Sequence, residues 1–240
     1  MAKTTDEVLT PFLADVDSAL GTDYSAVLYG SAARGDWVPG RSDINLLLVL
    51  DDPGAARLAR LEPAFTAWRK AQPEPPLLIG RKEWEHAVDT FPIEITDMQS
   101  AYRVLRGADP LAGLVVAPAD LRRALEREVR GKLLRLRQGF VVMSKHPNEL
   151  GQLAAESLAT ILLLFRCLAV LRGRPLQRDP AAAINEASKI AGFRPEQLLA
   201  ILAHRSERRW SCSVECFLGY LDAVEQTARF VDQLEPGDQA

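Results

Sequence analysis

Cysteine and histidine are scarce in this chain, which has three of each among its 240 residues. The cysteines are Cys167, Cys212 and Cys216, an odd and sparse set that argues against a disulfide framework and is typical of a reducing cytoplasm. Cys212 and Cys216 are four residues apart, with His204 nearby in sequence, but the paired spacing of zinc-binding motifs is missing. Two small, half-buried thiols explain the pair better than a zinc site does.

Long apolar runs and an excess of one charge are also missing. The longest apolar stretch, from Leu158 to Leu171, is interrupted by Arg166 and is shorter than the roughly 20 residues that a membrane span needs, so a buried helix is the better interpretation. The N-terminal sequence MAKTTDEVLT lacks the apolar core of a signal peptide. The net charge is −3, whereas a general nucleic-acid binder would be more basic. These features predict a cytoplasmic protein without membrane association or general nucleic-acid binding.

The character of the sequence changes near residue 115, which predicts two domains, residues 1–115 and 116–240. The second domain reads as five helices with short links, which is typical of a helical bundle. The predicted fold class is therefore α+β, a small mixed β-sheet domain followed by an all-α bundle. The first domain is predicted to contain helices over 5–20, 54–71 and 81–89, and strands over 25–29, 44–50, 76–79 and 92–98.

Gly30 and Ser31 follow the first predicted strand, and Asp43 and Asn45 stand at the head of the second. A glycine after a strand lets a phosphate approach the backbone closely, and a helix that begins at Ser31 would direct N–H groups towards that phosphate. Residues 43 and 45 are two apart on a strand, so their side chains project from one face, roughly 6.5 Å apart. Carboxylates at two such positions could hold Mg²⁺ ions against a triphosphate.

Arg41 and Ser42, immediately before Asp43, are further candidates for phosphate contacts. Arginine suits bidentate contacts to phosphate, although a structural ion pair is an equally good interpretation of Arg41. Ser42 either binds a phosphate or caps the turn, which is the more common role of such a serine.

A third carboxylate would complete this site, and the predicted strand Pro92–Met98 offers one. Strict alternation places Ile93 and Ile95 on one face and Glu94 on the other, so Glu94 faces the site if the isoleucines are buried. Asp97 falls on the isoleucine face, close to the strand end where alternation weakens. The alternation therefore favours Glu94 over Asp97.

The stretch Gly30-Ser31, eleven residues, then Ser42-Asp43-Ile44 resembles the signature of the DNA polymerase beta-like nucleotidyltransferase superfamily. The helical half looks like the second domain of bacterial aminoglycoside adenylyltransferases. The resemblance implies transfer of AMP from ATP to a hydroxyl of a small molecule, with two Mg²⁺ ions between the acids and the phosphates. It also implies that the third acid, matched by Glu94, is the general base, and that the acceptor lies in a cleft between sheet and bundle.

Asn45 departs from the superfamily pattern, which has a second acid at this position. Asparagine keeps the shape and one acceptor oxygen but loses the charge, so at least one metal site is weakened. Asp36, in the loop after Ser31, is a candidate to compensate for the lost charge, although a loop acid that pairs with Arg34 or Arg41 is the simpler interpretation. Three interpretations remain open: a working nucleotidyltransferase that uses one Mg²⁺ ion, a nucleotide-binding or ligand-binding member without turnover, and a protein-interaction module such as one partner of a toxin–antitoxin pair.

Overall fold

The computed structural model describes residues 4–35, 37, 43–207 and 210–234. The chain divides into two compact units, Met1–Val116 and Ala117–Ala240. The first unit contains a β-sheet with helices, and the second is built from helices throughout its described part. The expected α+β fold class is confirmed by these elements.

The first unit contains a four-stranded mixed sheet in the order β3-β2-β1-β4. β1 pairs antiparallel with both β2 and β4, whereas β2 and β3 run parallel. In the β1–β2 register, Tyr29 lies opposite Asn45, so the end of β1 meets the start of β2. The strands are β1 (Tyr24–Tyr29), β2 (Asn45–Leu50), β3 (Leu77–Gly80) and β4 (Tyr102–Arg106). The helices of this unit are α1 (Thr5–Leu20), α2 (Ser31–Arg34), α3 (Ala55–Arg60), α4 (Glu62–Trp68), α5 (Arg81–Glu85) and α6 (Pro92–Ser100).

Both faces of the sheet are covered by apolar side chains from helices. On one face, even-numbered strand residues such as Leu28 and Leu48 pack with α1 and α4, where the rings of Phe12 and Trp68 lie 4.6 Å apart. On the other face, odd-numbered residues such as Val27 pack with residues of α5 and α6. The alternation of a strand thus assigns Tyr29 to the face that α6 covers, because Tyr29 packs against the same cluster as Val27.

Helix α1 begins and ends where the sequence pattern predicts. Thr4 accepts a hydrogen bond from the N–H of Glu7, and the Glu7 carboxylate accepts one from the N–H of Thr4, which together form a capping box. Gly21 ends the helix with φ 67°, a conformation that favours glycine.

The predicted strand over 92–98 is wrong, because these residues form helix α6. Pro92 occupies the first turn, where its missing N–H costs no hydrogen bond. The N–H of Ile95 donates to the carbonyl of Phe91 at 3.0 Å, and Ile95 and Met98 are fully buried three residues apart, as a helix requires. The fourth strand is β4, which follows α6 and pairs with β1.

The second unit consists of five helices in its described part, in agreement with the number predicted. The longest two, α7 and α8, pack against each other, and α11 packs against α7. Ring contacts reinforce this packing: Phe140 stacks on Phe217 at 5.7 Å and Phe165 on Phe193 at 5.3 Å. The helices are α7 (Pro118–Met143), α8 (Pro147–Leu171), α9 (Pro180–Ala191), α10 (Glu196–His204) and α11 (Val214–Gln233).

Helix α8 contains the long apolar stretch of the sequence. By length and composition it could cross a membrane, but 56% of its most apolar window is buried inside the protein, as in a core helix. Its one buried charge, Arg166, donates hydrogen bonds to the carbonyls of Gln177 and Arg178, each at 3.0 Å. The interpretation of this stretch as a buried helix is confirmed.

Candidate functional site

Gly30 and Asn45 lie in close contact where β1 ends and β2 begins. Gly30 has φ 69° and ψ −147°, a backbone conformation that side chains rarely permit. A Cβ at this position would lie 2.5 Å from Nδ2 of Asn45, so the asparagine side chain covers the glycine backbone. Only glycine fits both requirements, which explains its place between the strand and helix α2.

Helix α2 is one turn long and is fixed to α6 by an ion pair. It begins at Ser31, directly after Gly30, and its last residue is Arg34. The Nη1 atom of Arg34 lies 3.2 Å from Oδ1 of Asp97, and the two side chains are only 9% and 14% exposed. A charge pair with so little access to water holds its geometry more firmly than a surface pair. The turn that carries Ser31 therefore has a defined position relative to α6.

Asp43 and Asn45 flank a buried residue at the start of β2. Asp43 is exposed and Asn45 half-buried, whereas Ile44 belongs to the core on the other face of the sheet. The N–H of Ile44 donates to Oε1 of Gln72 at 3.3 Å, and this buried contact fixes the backbone between the two polar residues. The alternation expected at positions 43–45 is therefore present.

Tyr29 connects this strand end with the acidic side chains of α6. Burial raises the pKa of its phenol to about 12, and the negative charges of Asp97 and Glu94 add to this rise. Tyr29 is also the cross-strand neighbour of Asn45. The two carboxylates of α6 thus lie within electrostatic range of the residue beside Asn45.

Glu94 lies on helix α6 and not on the predicted strand. Its role as general base stays a prediction. Glu94 is exposed on a helix, so strand alternation cannot have placed it. Residues three apart on a helix share a face, so Glu94 and Asp97 lie on the same side, whereas a strand would separate them. Asp97, the less favoured candidate, is the acid that contacts α2. The sequence signal for helix α6 was Pro92, because proline favours the first turn of a helix.

Three other residues named from the sequence cannot be placed. Arg41, Ser42 and the compensating candidate Asp36 lie outside the described residues. Their predicted contacts to phosphate, or to a metal in the case of Asp36, therefore stay predictions.

Two described side chains at the start of β2 offer oxygen ligands for a metal ion. Asp43 supplies a carboxylate and Asn45 an amide oxygen, both of which are hard ligands. The residues of β3, which runs parallel to β2, are Leu77–Gly80, and none of them carries a carboxylate. Within the described part of the chain, no group of three or more His, Cys, Asp or Glu side chains could hold a metal ion.

Comparisons with known proteins agree with this architecture. Residues 11–93 match the family model of the nucleotidyltransferase domain. Among solved structures, the chain is similar to spectinomycin adenyltransferase AAD(9) from Enterococcus faecialis, whose crystal structure contains ATP and spectinomycin. The TM-score is 0.59 with 13% identity, and the match covers 96% of this chain and 100% of that chain. No curated protein sequence matches the chain.

The residues that match the nucleotidyltransferase domain lie in the first unit, in agreement with the predicted resemblance to the nucleotidyltransferase superfamily. The whole chain resembles an aminoglycoside adenylyltransferase in fold. Because the identity is 13%, this similarity shows the fold alone. The chemistry has to be inferred from the residues of the site.

Proposed function

We propose that this protein binds ATP at the junction of β1, α2 and β2 and transfers AMP to a hydroxyl group of a small molecule. The observation that carries the proposal is the contact between Gly30 and Asn45. It places the polar start of β2, where Asp43 is exposed and Asn45 is half-buried, directly against the turn from which helix α2 begins. This junction lies inside the matched nucleotidyltransferase domain, and the similar adenyltransferase was solved with ATP and spectinomycin.

Asp43 and Asn45 would hold a single Mg²⁺ ion together with the phosphates. When bound, the ion would neutralise phosphate charge and so favour both binding and displacement at phosphorus. Loss of one carboxylate weakens this site, because Asn45 contributes an oxygen without a charge. The protein would therefore depend more strongly on Mg²⁺ concentration than a member with two acids.

The acids of α6 would have separate roles. Asp97 is paired with Arg34, so its role is to position the turn that begins at Ser31. Glu94 is exposed on the same helix face and can accept a proton from an acceptor hydroxyl. Cytoplasmic location, a small hydroxylated acceptor and phosphate contacts by Ser31, Arg41 and Ser42 complete the proposal.

A second candidate function is nucleotide binding without transfer. The presence of Asn45 at the metal position favours this alternative, because it reduces the negative charge available to a second ion. A protein-interaction role is the outcome to pursue if no nucleotide binds.

Calorimetric titration of ATP, with and without Mg²⁺, tests the proposal on the unmodified protein. We expect Mg²⁺-dependent binding, and we expect Asp43→Ala to abolish both this dependence and any AMP transfer. Absence of binding in both conditions would contradict the proposal. Mg²⁺-dependent binding without transfer to any of a panel of hydroxylated acceptors would support the second candidate.

Asn45→Asp tests the metal site by restoring one charge with almost no change in shape. We expect Mg²⁺–ATP to bind about tenfold more tightly, which corresponds to about 1.4 kcal/mol. Asn185→Asp is the matched control, because it adds the same charge at an exposed position of helix α9. An equal gain in both variants, or no gain in either, would refute the assignment of Asn45 to the metal site.

A further inference from the structure

The backbone at Ile44 lies just before the regular part of strand β2. The strand begins at Asn45, its pairing with β1 starts at the same residue, and its pairing with β3 starts only at Leu47. Ile44 nevertheless belongs to the buried core. A buried N–H group costs free energy unless it finds an acceptor, so the N–H of Ile44 needs a partner from outside the register of the sheet.

Gln72, in the segment between helix α4 and strand β3, supplies this acceptor. Its side chain is buried, and its Oε1 accepts the hydrogen bond from the N–H of Ile44 at 3.3 Å. Only the oxygen of the amide can accept, so the contact also fixes the orientation of the amide. The Gln72 side chain thus takes the place that a carbonyl of a neighbouring strand would have.

Trp68 at the end of helix α4 holds the backbone around Gln72. The N–H groups of Ala71 and Gln72 donate to the carbonyl of Trp68 at 2.8 and 2.9 Å. The indole Nε1 of Trp68 donates in turn to the carbonyl of Glu74 at 2.7 Å. The chain on both sides of Gln72 is therefore tied to one fully buried residue, and the Gln72 side chain starts from a defined point.

The side chain of Ile44 is held from the same direction as its N–H. It belongs to the apolar cluster that also contains Trp68. Asp43 and Asn45 are the covalent neighbours of Ile44, so their oxygens keep a fixed separation only if the backbone of Ile44 does. A ligand-binding group works best when such supporting contacts lock its geometry.

We propose that Gln72 is a positioning residue of the Mg²⁺–ATP site, which acts through Ile44 to keep the oxygens of Asp43 and Asn45 within reach of one ion. The inference rests on the proposed function, because that function assigns both oxygens to the ion. Mg²⁺ demands nearly octahedral geometry with ligands at about 2.0–2.1 Å, so a small displacement weakens its binding. Asn45 offers an oxygen without a charge, which makes correct placement more important.

A purely structural role of Gln72 makes a different prediction from a positioning role. A hydrogen bond that serves only stability lowers the unfolding temperature when it is removed, but the protein that remains folded binds Mg²⁺–ATP as before. A positioning residue changes the affinity for Mg²⁺–ATP in the folded protein and leaves the affinity for ATP without Mg²⁺ unchanged. The comparison of these two affinities therefore separates the roles.

Calorimetric titration of the whole chain with ATP, with and without Mg²⁺, makes this comparison. Gln72→Met removes the acceptor at similar size, and we expect the affinity for Mg²⁺–ATP to fall about tenfold, with no change for metal-free ATP. Gln72→Glu keeps an oxygen at the same reach and should bind Mg²⁺–ATP at least as tightly as the wild type. Gln99→Met is the matched control, because it removes another hydrogen bond from a glutamine side chain to the backbone, the one to Leu114, and should leave both affinities unchanged.

Hydrogen exchange of the unmodified protein tests the contact without any variant. We expect slow exchange of the Ile44 amide although it precedes β2, and exchange as fast as that of an exposed amide would overturn the proposal. If Gln72→Met does not fold, Gln72→Asn withdraws the oxygen by one methylene and should show the same selective loss. Unchanged affinities, or an equal fall in both, would overturn the role of Gln72 alone. Wild-type protein that protects Ile44 but binds no Mg²⁺–ATP would overturn the proposed function and this role with it.

Discussion

At the scale of single residues, Gly30 combines a backbone restriction with a packing restriction. Its φ of 69° and its contact with Asn45 would both penalise a side chain. Gly21 has a similar conformation, with φ 67° and ψ −129°, but a Cβ there would meet nothing within 4 Å. The two glycines therefore allow the conformational cost to be separated from the contact cost.

We expect Gly30→Ala to destabilise the protein more than Gly21→Ala. Each should lose about 1–3 kcal/mol from backbone strain, and Gly30→Ala should lose about 1 kcal/mol more, because its methyl group displaces the end of the Asn45 side chain. Adding Asn45→Ala to Gly30→Ala should recover part of the second loss. Urea denaturation measures these differences, and equal losses for the two glycine variants would contradict the contact with Asn45.

The lowered pKa of Cys216 predicts how the rate of its alkylation depends on pH. Its thiol pKa is lowered from the usual 9.0 to about 7 by Cys212 and His204, while burial and, to a smaller extent, Glu215 oppose the shift. Because the thiolate is the reactive form, alkylation of the reduced protein should accelerate as the pH rises through about 7. Cys212→Ser should move this midpoint upwards, since the first cause of the shift is removed. A wild-type midpoint near 9 would contradict the lowering of the Cys216 pKa by Cys212.

At the scale of elements, the sequence predicts helix α1 and the two central strands well and the segment 92–100 badly. Strands β1 and β2 are continuous apolar runs with glycine or charged residues at their ends, and such runs have few alternatives. The sequence Pro92–Met98 alternates like a strand, yet its buried residues also fit a helix that begins at a proline. Seven residues are too few for the period to decide between the two.

Strand β4 was missed because its composition carries almost no signal. Tyr102–Arg106 contains two arginines, and none of its residues is fully buried. It forms an edge of the sheet, where pairing with β1 replaces burial as the source of stability. Its pairing partner lies far away in sequence, so local pattern cannot reveal it. For the same reason the contact of Asp97 with Arg34 could not be predicted.

The helical form of α6 can be tested through the pKa of Tyr29. Glu94→Gln and Asp97→Asn should each lower this pKa from about 12, because each removes a negative charge that opposes ionisation of the phenol. Burial remains, so the pKa should stay above its ordinary value of 10.0. Asp89→Asn, at an exposed position before α6, is the control. NMR of labelled tyrosine measures the titration, and a response to only one of the two α6 variants would indicate opposite faces, as in a strand.

The raised pKa of Tyr29 also has a consequence for stability at high pH. The unfolded chain loses this proton near pH 10, whereas the folded chain holds it up to about pH 12. The folded state therefore binds more protons in this window, and its stability falls as the pH rises through it. The neutral phenol below pH 10 is compatible with the folded core.

At the scale of the whole molecule, the two units have separate reasons to fold. The first buries both faces of its sheet beneath helices of the same unit. In the second, α7, α8 and α11 pack together, and aromatic pairs such as Phe140 with Phe217 lie between helices of that unit. The predicted domains, residues 1–115 and 116–240, thus correspond to a physical hypothesis, namely that each unit is stable without the other.

Separate expression of residues 1–116 and 117–240 tests this hypothesis. We expect each fragment to unfold in one cooperative thermal transition, because its core contacts are made within the fragment. In fragment 117–240, Phe217→Ala should destabilise the fold by about 3–5 kcal/mol, since the ring is fully buried, whereas exposed Val142→Ala should have little effect. A fragment that lacks a cooperative transition would show that its unit depends on the other.

The location of the proposed ATP site gives the fragments a second use. Gly30, Asp43, Asn45 and Glu94 all belong to the first unit. If that unit folds alone, it should retain Mg²⁺-dependent ATP binding, because the backbone turn and the metal oxygens come with it. Transfer to an acceptor should be lost if the acceptor needs the helical unit. Calorimetry on fragment 1–116, with Asp43→Ala as the control, separates these steps. If the fragment folds but binds no ATP, while the whole chain binds it, then ATP binding requires residues 117–240.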